Sequence, residues 1–198
     1  MRLLHATIPL VLMSTVGSAR ADSFAEVMGG VSIPVADSTW TDTAESSPQI
    51  GVRAGAVNDN GIGGMVQFDW TPVSLDNSSV AGVDFAFHRF RFLADLVIQR
   101  HVMPKLVASG RIGIGLDIAH ASAHASLLNA NSSDTDLGFG FELGGGLWYD
   151  MGDIQLGGEL ALPVAAHSKK GNGSDGNYSF DYTSWDINMI FGARFFSR

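Results

Sequence analysis

From Asp22 to the C-terminus, apolar and polar residues alternate with a period of two, the period of a β-strand whose faces meet different surroundings. The last segment is the clearest. Trp185, Ile187, Met189, Phe191, Ala193 and Phe195 share one face, against Ser184, Asp186, Asn188, Ile190, Gly192 and Arg194. In 137–149, Leu137, Phe139, Phe141, Leu143, Leu147 and Tyr149 oppose Gly138, Gly140, Glu142, Gly144 and Gly146. In 105–119 the apolar row runs from Leu106 through Ile112, Ile114 and Leu116 to Ile118, opposite Lys105, Ser109, Arg111, Gly113, Gly115 and Asp117. Ile154, Leu156, Leu160 and Leu162 oppose Gln155, Gly157 and Glu159, and weaker versions cover about 24–35, 48–57, 62–71 and 83–99. The pattern therefore predicts eight strands.

The connections alternate in length. Asn58–Gly61, Arg100–Pro104 and Asp150–Asp153 carry the Asn, Asp, Gly and Pro chemistry of tight turns. Between them lie the polar stretches 36–47, 73–82, 120–135 and 166–181, in which Asn129–Asp136 and Lys169–Asn177 read as solvated loop tips. Hairpins joined this way put every long connection at one end of a sheet and every short turn at the other. One segment breaks step: Val83, Phe85 and Phe87 have odd parity, whereas Phe90, Phe92, Ala94 and Leu96 have even parity. A β-bulge near His88–Arg89, or a loop edge up to Phe87, would reconcile the two.

The N-terminus has a different character. Met1–Arg2, an apolar stretch from Leu3 to Val16 and the small-residue site Ala19-Arg20-Ala21 form a secretory signal pattern over residues 1–21, with cleavage after Ala21. Removal of 21 residues from 198 leaves 177 and moves the formal charge from −8 to −10. That acidity argues against nucleic-acid binding, which needs a basic face for phosphates. The absence of cysteine excludes disulfides, thiolate metal sites and a cysteine nucleophile. Glycine is abundant, 24 of 198 residues, and charged residues are sparse at 16%; a typical domain has about 7% and about 25%.

Period alone does not distinguish a soluble barrel from one in a membrane, but strand length and face composition do. Several alternating segments run past ten residues; soluble strands average about 5–6, and a tilted spanning strand needs about 9–11. The polar face is Gly, Ser and Ala punctuated by charges of both signs, a composition suited to a narrow filled interior. Aromatic residues cluster near strand ends, with Trp70, Phe85, Phe87, Tyr182 and Trp185 on the long-connection side and Phe24, Tyr149 and Phe195 on the other. Two such girdles mark two bilayer interfaces, and a lipid-exposed sheet must close on itself.

On these features residues 22–198 resemble the small OmpA/OmpX-type outer-membrane β-barrels, the resemblance being most specific in the strand with Trp185, Ile187, Met189, Phe191 and Phe195 on one face. It implies an all-β, eight-stranded antiparallel up-and-down transmembrane barrel in the cell outer membrane. Both termini would face the periplasm, and the C-terminal strand would be read by the barrel insertion machinery. Outer-membrane lipid and lipopolysaccharide would be the surroundings, without cofactor, metal or nucleic acid, and the monomer is the favoured state. The family usually ends on an aromatic residue, whereas here Ser197-Arg198 follow Phe196.

The inward row of such a barrel would hold Glu26, Arg53, Asp69, Arg91, Asp95, Lys105, Arg111, Asp117, Glu142, Glu159, Asp186 and Arg194. Arg53, Arg91, Arg111, Glu142 and Glu159, with Arg194, make a candidate lumenal ion-pair network, since buried charges must pair. A network of this kind plugs a lumen just wide enough for side chains; read the other way, it gates a small pore. Two His-Ala-Ser triplets, His120/Ser122 and His124/Ser126, raise a third reading, a lipid A deacylase-like hydrolase with Asp117 or Glu142 orienting the base. Leu127-Leu128 after Ser126 depart from that pattern, and no catalytic residue is assigned. A soluble lipocalin-like binding barrel is the remaining alternative. The acidic residues of the long connections match no calcium-loop spacing. The function inferred from sequence is thus a structural or surface-interaction role with a plugged lumen.

Overall fold

The computed structural model describes residues 21–36, 41, 44–73, 83–125, 130–173 and 176–197. Its strands are β1 (Ala21–Ala36), β2 (Ser47–Asn58), β3 (Ile62–Val73), β4 (Val83–Met103), β5 (Leu106–Ala125), β6 (Ala130–Asp150), β7 (Ile154–Gly173) and β8 (Gly176–Ser197). Each is antiparallel to the next, and β8 returns to β1 to close the barrel. Closure leaves no open strand edge at the height of the apolar belt, which is what hydrocarbon requires of a spanning sheet. Among the described residues no helix is long and apolar enough to cross a membrane.

The alternation is resolved with large apolar side chains outside. Val66, Leu143, Leu160 and Phe191 are about half or more exposed, at 58%, 51%, 59% and 67%. Their strand neighbours on the opposite face, Gln67, Glu142, Glu159 and Ile190, are buried in the lumen. A soluble lipocalin-like barrel has the reverse arrangement, and the structure rules it out. All five outward residues of the C-terminal strand, Trp185, Ile187, Met189, Phe191 and Phe195, fall on the exposed or half-exposed row.

The short turns are built locally. In Asn58–Gly61 the Asn58 Oδ1 accepts the backbone N–H groups of Asn60 and Ile62, both at 3.0 Å, and Gly61 adopts φ 72°. At the 151–153 turn Asp150 Oδ1 accepts Gly152 N–H at 2.9 Å, and Gly152 adopts φ 97°. Both glycines occupy the left-handed region that disfavours a Cβ. The third turn is tighter than the predicted Arg100–Pro104: β4 continues to Met103 and only Pro104-Lys105 turn.

Four further sequence expectations are corrected. First, β4 carries no bulge near His88–Arg89 and is not a loop edge before it. It pairs without a break from Val83↔Ala125 to His101↔Val107, and the irregularity lies between His101 and Met103. The parity of the aromatics changes because the strand climbs out of the apolar belt there: Phe87 shares the inward row with Arg89 and Arg91, and outward positions such as His88 need no longer be apolar. Second, 120–135 and 166–181 are largely strand, since β5 reaches Ala125, β6 starts at Ala130, β7 reaches Gly173 and β8 starts at Gly176. Strands with water on both faces keep their backbone ladder but lose the period-two signal. Third, Phe24 is not a girdle residue; it is 4% exposed and packs inside the lumen with Val57, Met65 and Val97. Fourth, Lys105 belongs to an exposed turn, outside the lumen. The signal segment, apart from Ala21, and the stretches 37–40, 42–43 and 74–82 lie outside the described residues.

Candidate functional site

The inward rows of the eight strands face a lumen that holds many buried charged side chains. The alternation that turns Leu and Phe outward turns the residue between them inward, so each strand delivers its charged residues to the same axis. Register sets their heights: Glu26 lies across from Arg53 on one side and Arg194 on the other, and Asp69 lies across from Arg91.

The structure brings together all six residues of the sequence-derived network. Arg194 Nε donates to Glu26 Oε2 at 2.7 Å, and Arg53 Nη1 donates to Glu26 Oε1 at 2.9 Å. Arg53 Nη2 also donates to Glu159 Oε1 at 3.0 Å. Glu159 in turn accepts from Arg111 Nε at 2.8 Å. Arg111 contacts Glu142 as well and donates through Nη1 to Asp95 Oδ1 at 3.0 Å. Arg91 Nη1 reaches Glu142 Oε2 at 2.8 Å, and its Nη2 lies 3.3 Å from Asp69. Gln67 completes the mesh, accepting from Arg53 Nε at 2.7 Å and donating to Asp69 and Glu142 at 2.5 and 3.1 Å. All of the charged side chains are within 4% of full burial. The mesh thus bridges strands on opposite walls, with Arg53 of β2 reaching Glu159 of β7 across the interior.

Glycine makes the space. A Cβ on Gly144 would come within 2.9 Å of Arg111 Nε and 3.1 Å of Glu159 Oε1. Gly144 thus leaves room for the Arg111 guanidinium and the Glu159 carboxylate.

A second cluster sits nearer the long-connection end. Arg89 contacts Asp117 at 2.7 Å and Asp186 at 2.5 Å, and donates to Ser184 Oγ at 2.7 Å. His167 stands between two carboxylates, with Nε2 3.2 Å from Asp117 and Nδ1 3.0 Å from Asp136. Toward the short turns, the Arg194 guanidinium lies 3.5 Å from the Trp148 ring centroid and 5.6 Å from that of Phe24. Trp148 has no exposed surface, and its Nε1 donates to Ser109 Oγ at 2.9 Å. Cation and rings pack against one another in the buried interior, an arrangement that gains from desolvation.

Sequence reasoning misses Arg89, His167, Trp148 and Gln67. Each lies on the inward parity of its strand, so the signal is present. The misplaced bulge hides Arg89, and His167 lies in a segment that reads as loop. Trp148, near a strand end, resembles a girdle aromatic until the barrel closes around it.

The His-Ala-Ser reading meets a geometric obstacle. His120 and Ser122 lie on the outward row of β5, and His120 Nδ1 pairs with Thr135 Oγ1 at 2.9 Å. Asp117 and Glu142, the acids that would orient a base, are buried inside the lumen on the other side of the wall. Ser126 and the His124 side chain lie outside the described residues. Among the described residues no group of three or more His, Asp or Glu side chains is placed to hold a metal ion.

No protein-family profile matches the sequence, and no curated protein sequence matches it. Solved structures do. Neisserial surface protein A aligns over 88% of this chain and 96% of its own, at 12% identity and TM-score 0.55. Ail, the attachment invasion locus protein of Yersinia pestis, aligns over 88% and 98%, at 12% identity and TM-score 0.52. A major outer membrane protein from Thermus thermophilus aligns over 88% and 99%, at 11% identity and TM-score 0.56. The fold is that of the small outer-membrane β-barrels. The exposed apolar belt on a closed barrel of this fold places the chain in an outer membrane. Identity this low conveys architecture alone, and what the protein does must be argued from its own residues.

Proposed function

We propose that the protein is a non-conducting outer-membrane barrel that holds a tall β-structure above the membrane for interaction at the cell surface. The observation that supports a closed lumen is the cross-wall mesh of Arg53, Arg91, Arg111 and Arg194 with Glu26, Asp69, Glu142 and Glu159, backed by Trp148 and Phe24. An ion entering would have to separate pairs in a low-dielectric interior, and stripping one partner from a buried pair costs about 3–5 kcal/mol.

The surface role rests on strand length. β4 to β8 run 20–22 residues, about twice the 9–11 needed to span. The excess is at the long-connection end, which faces outward in barrels of this kind. There the β6–β7 ladder stops at Phe139↔Ala166, while β5–β6 continues to Ala125↔Ala130 and β7–β8 to Gly173↔Gly176. The upper wall is thus divided, and the exposed β6 residues 132–135 border the division. A strand edge of this kind offers backbone donors and acceptors to a partner.

Planar-bilayer recording tests the closed lumen: the intact protein is expected to give no steady conductance. A stable ion-selective channel would establish the pore reading instead. The signal segment at 1–21, recognition of the C-terminal strand by insertion machinery, a monomeric state and the absence of catalysis belong to the same proposal.

A further inference from the structure

The β6–β7 ladder ends at Phe139↔Ala166, and His167 is the next residue along β7. Above it the wall rises as two separate hairpins, since β6 stays paired with β5 to Ala125↔Ala130 and β7 with β8 to Gly173↔Gly176. At the foot of this division the His167 side chain stands where the next rung would be. Its Nδ1 lies 3.0 Å from Asp136 of β6 and its Nε2 3.2 Å from Asp117 of β5, so both contacts tie β7 to the β5–β6 hairpin. His167 is buried, and its ring packs over Gly138, where a Cβ would come within 2.6 Å of it.

This bridge needs one protonation state. An ionised carboxylate only accepts hydrogen bonds, so two of them take two N–H donors, which the imidazole ring has only as the cation. The neutral ring keeps one donor and turns the lone pair of its other nitrogen toward a carboxylate. Asp117 also accepts from Arg89 of β4, whose Nε reaches its two oxygens at 3.0 and 2.7 Å, which fixes it as a carboxylate. Arg89 in turn donates to Asp186 of β8, so the charges gathered around the ring are Asp117, Asp136, Arg89 and Asp186. The Asp136 side chain is 18% exposed and gives the buried bridge access to solvent protons. The long-connection end of such barrels faces the medium outside the cell, and histidine is the side chain whose charge ordinarily changes near neutral pH.

We propose that His167 is a pH-sensitive clasp on the divided wall: the imidazolium holds the β7–β8 hairpin to the β5–β6 hairpin, and loss of its proton lets the two separate. The wall is closed in an acidic medium and loosens as the pH rises. The clasp acts on the wall itself, whether or not a partner binds there and whether or not the lumen conducts.

The chain has no cysteine, so Ser133→Cys and Ser168→Cys, at exposed positions on either side of the division, attach two spin labels selectively. The distance between them is measured by double electron–electron resonance on the protein in lipid vesicles, at about pH 5 and about pH 9, either side of the ordinary histidine value. One narrow distance is expected at the lower pH and a broader, longer distribution at the higher. Asp136→Asn, whose amide turns either to donate or to accept, is expected to give the narrow distance at both. His167→Gln is expected to give one distribution at both, and heat-dependent gel migration checks that each variant is a closed barrel. An unchanged wild-type distribution overturns the proposal, as does a pH response that survives in either folded variant. So does a His167 ring with only one protonated nitrogen at the lower pH, read from its nitrogen resonances.

Discussion

Changing Glu142 to Ala removes the carboxylate on which Arg91, Arg111 and Gln67 converge, at a position with no exposed surface. Taking one partner from a buried ion pair costs about 3–5 kcal/mol, because the remaining charge stays buried without compensation. Here neither arginine is left bare. Arg91 keeps Asp69 at 3.3 Å, and Arg111 keeps Asp95 at 3.0 Å and Glu159 at 2.8 Å. The loss is therefore placed at the lower end, about 3 kcal/mol. Asp95 supplies the contrast. Only its Oδ1 is engaged, with Arg111, and its Oδ2 has no partner. The mesh also contains five carboxylates (Glu26, Asp69, Asp95, Glu142, Glu159) for four guanidinium groups (Arg53, Arg91, Arg111, Arg194). Neutralising Asp95 improves that balance, so Asp95→Asn is expected to cost about 1 kcal/mol or less, the worth of one hydrogen bond. Reversible urea unfolding in lipid vesicles, followed by tryptophan fluorescence, measures both. A Glu142→Ala variant within about 0.5 kcal/mol of wild type, the usual range for an unremarkable surface change, would refute the reasoning. So would Asp95→Asn proving the more damaging of the two.

Gly138→Ala would bring a Cβ to 2.6 Å from the His167 ring and 2.7 Å from the Ala166 carbonyl. It is expected to dislodge His167 from Asp117 and Asp136, Asp117 keeping Arg89, and to cost about 1–3 kcal/mol through overpacking, readable from the His167 ring resonances and the urea midpoint. Protease added to intact cells is expected to spare Asn58–Gly61 and Asp150–Asp153 and to cut only at the long-connection end; cleavage at those turns would reverse the orientation. Lipid A from cells with and without the protein is expected to have the same acyl chains by mass spectrometry, since His120 pairs with Thr135 rather than with an acid. An acyl chain lost in the presence of the protein and restored by Ser122→Ala would make it a hydrolase.

Much is legible in the chain because a membrane barrel writes its environment into every second residue. Leu137, Phe139, Phe141 and Leu143 against Gly138, Gly140, Glu142 and Gly144 determine strand, face and side of the wall together, with no partner strand needed. The same period assigns Arg53, Arg91, Arg111, Glu142, Glu159 and Arg194 to a common interior before any contact is known. It fails where the environment stops alternating. Above Arg89, β4 to β8 stand clear of the apolar belt, and Asn131–Asp136 looks like loop in sequence although it pairs as strand.

Pairing itself is decided by tertiary structure. Which glutamate meets which arginine depends on register and on reach across the lumen, and Arg53 meets Glu159 from 106 positions away in the chain. The packing of Arg194 over Trp148 and Phe24 depends likewise on three strands closing onto one axis. The end of the β6–β7 ladder at Phe139↔Ala166 has no sequence signature at all. A local period specifies the face on which a side chain emerges, whereas closure of the barrel specifies what it finds there.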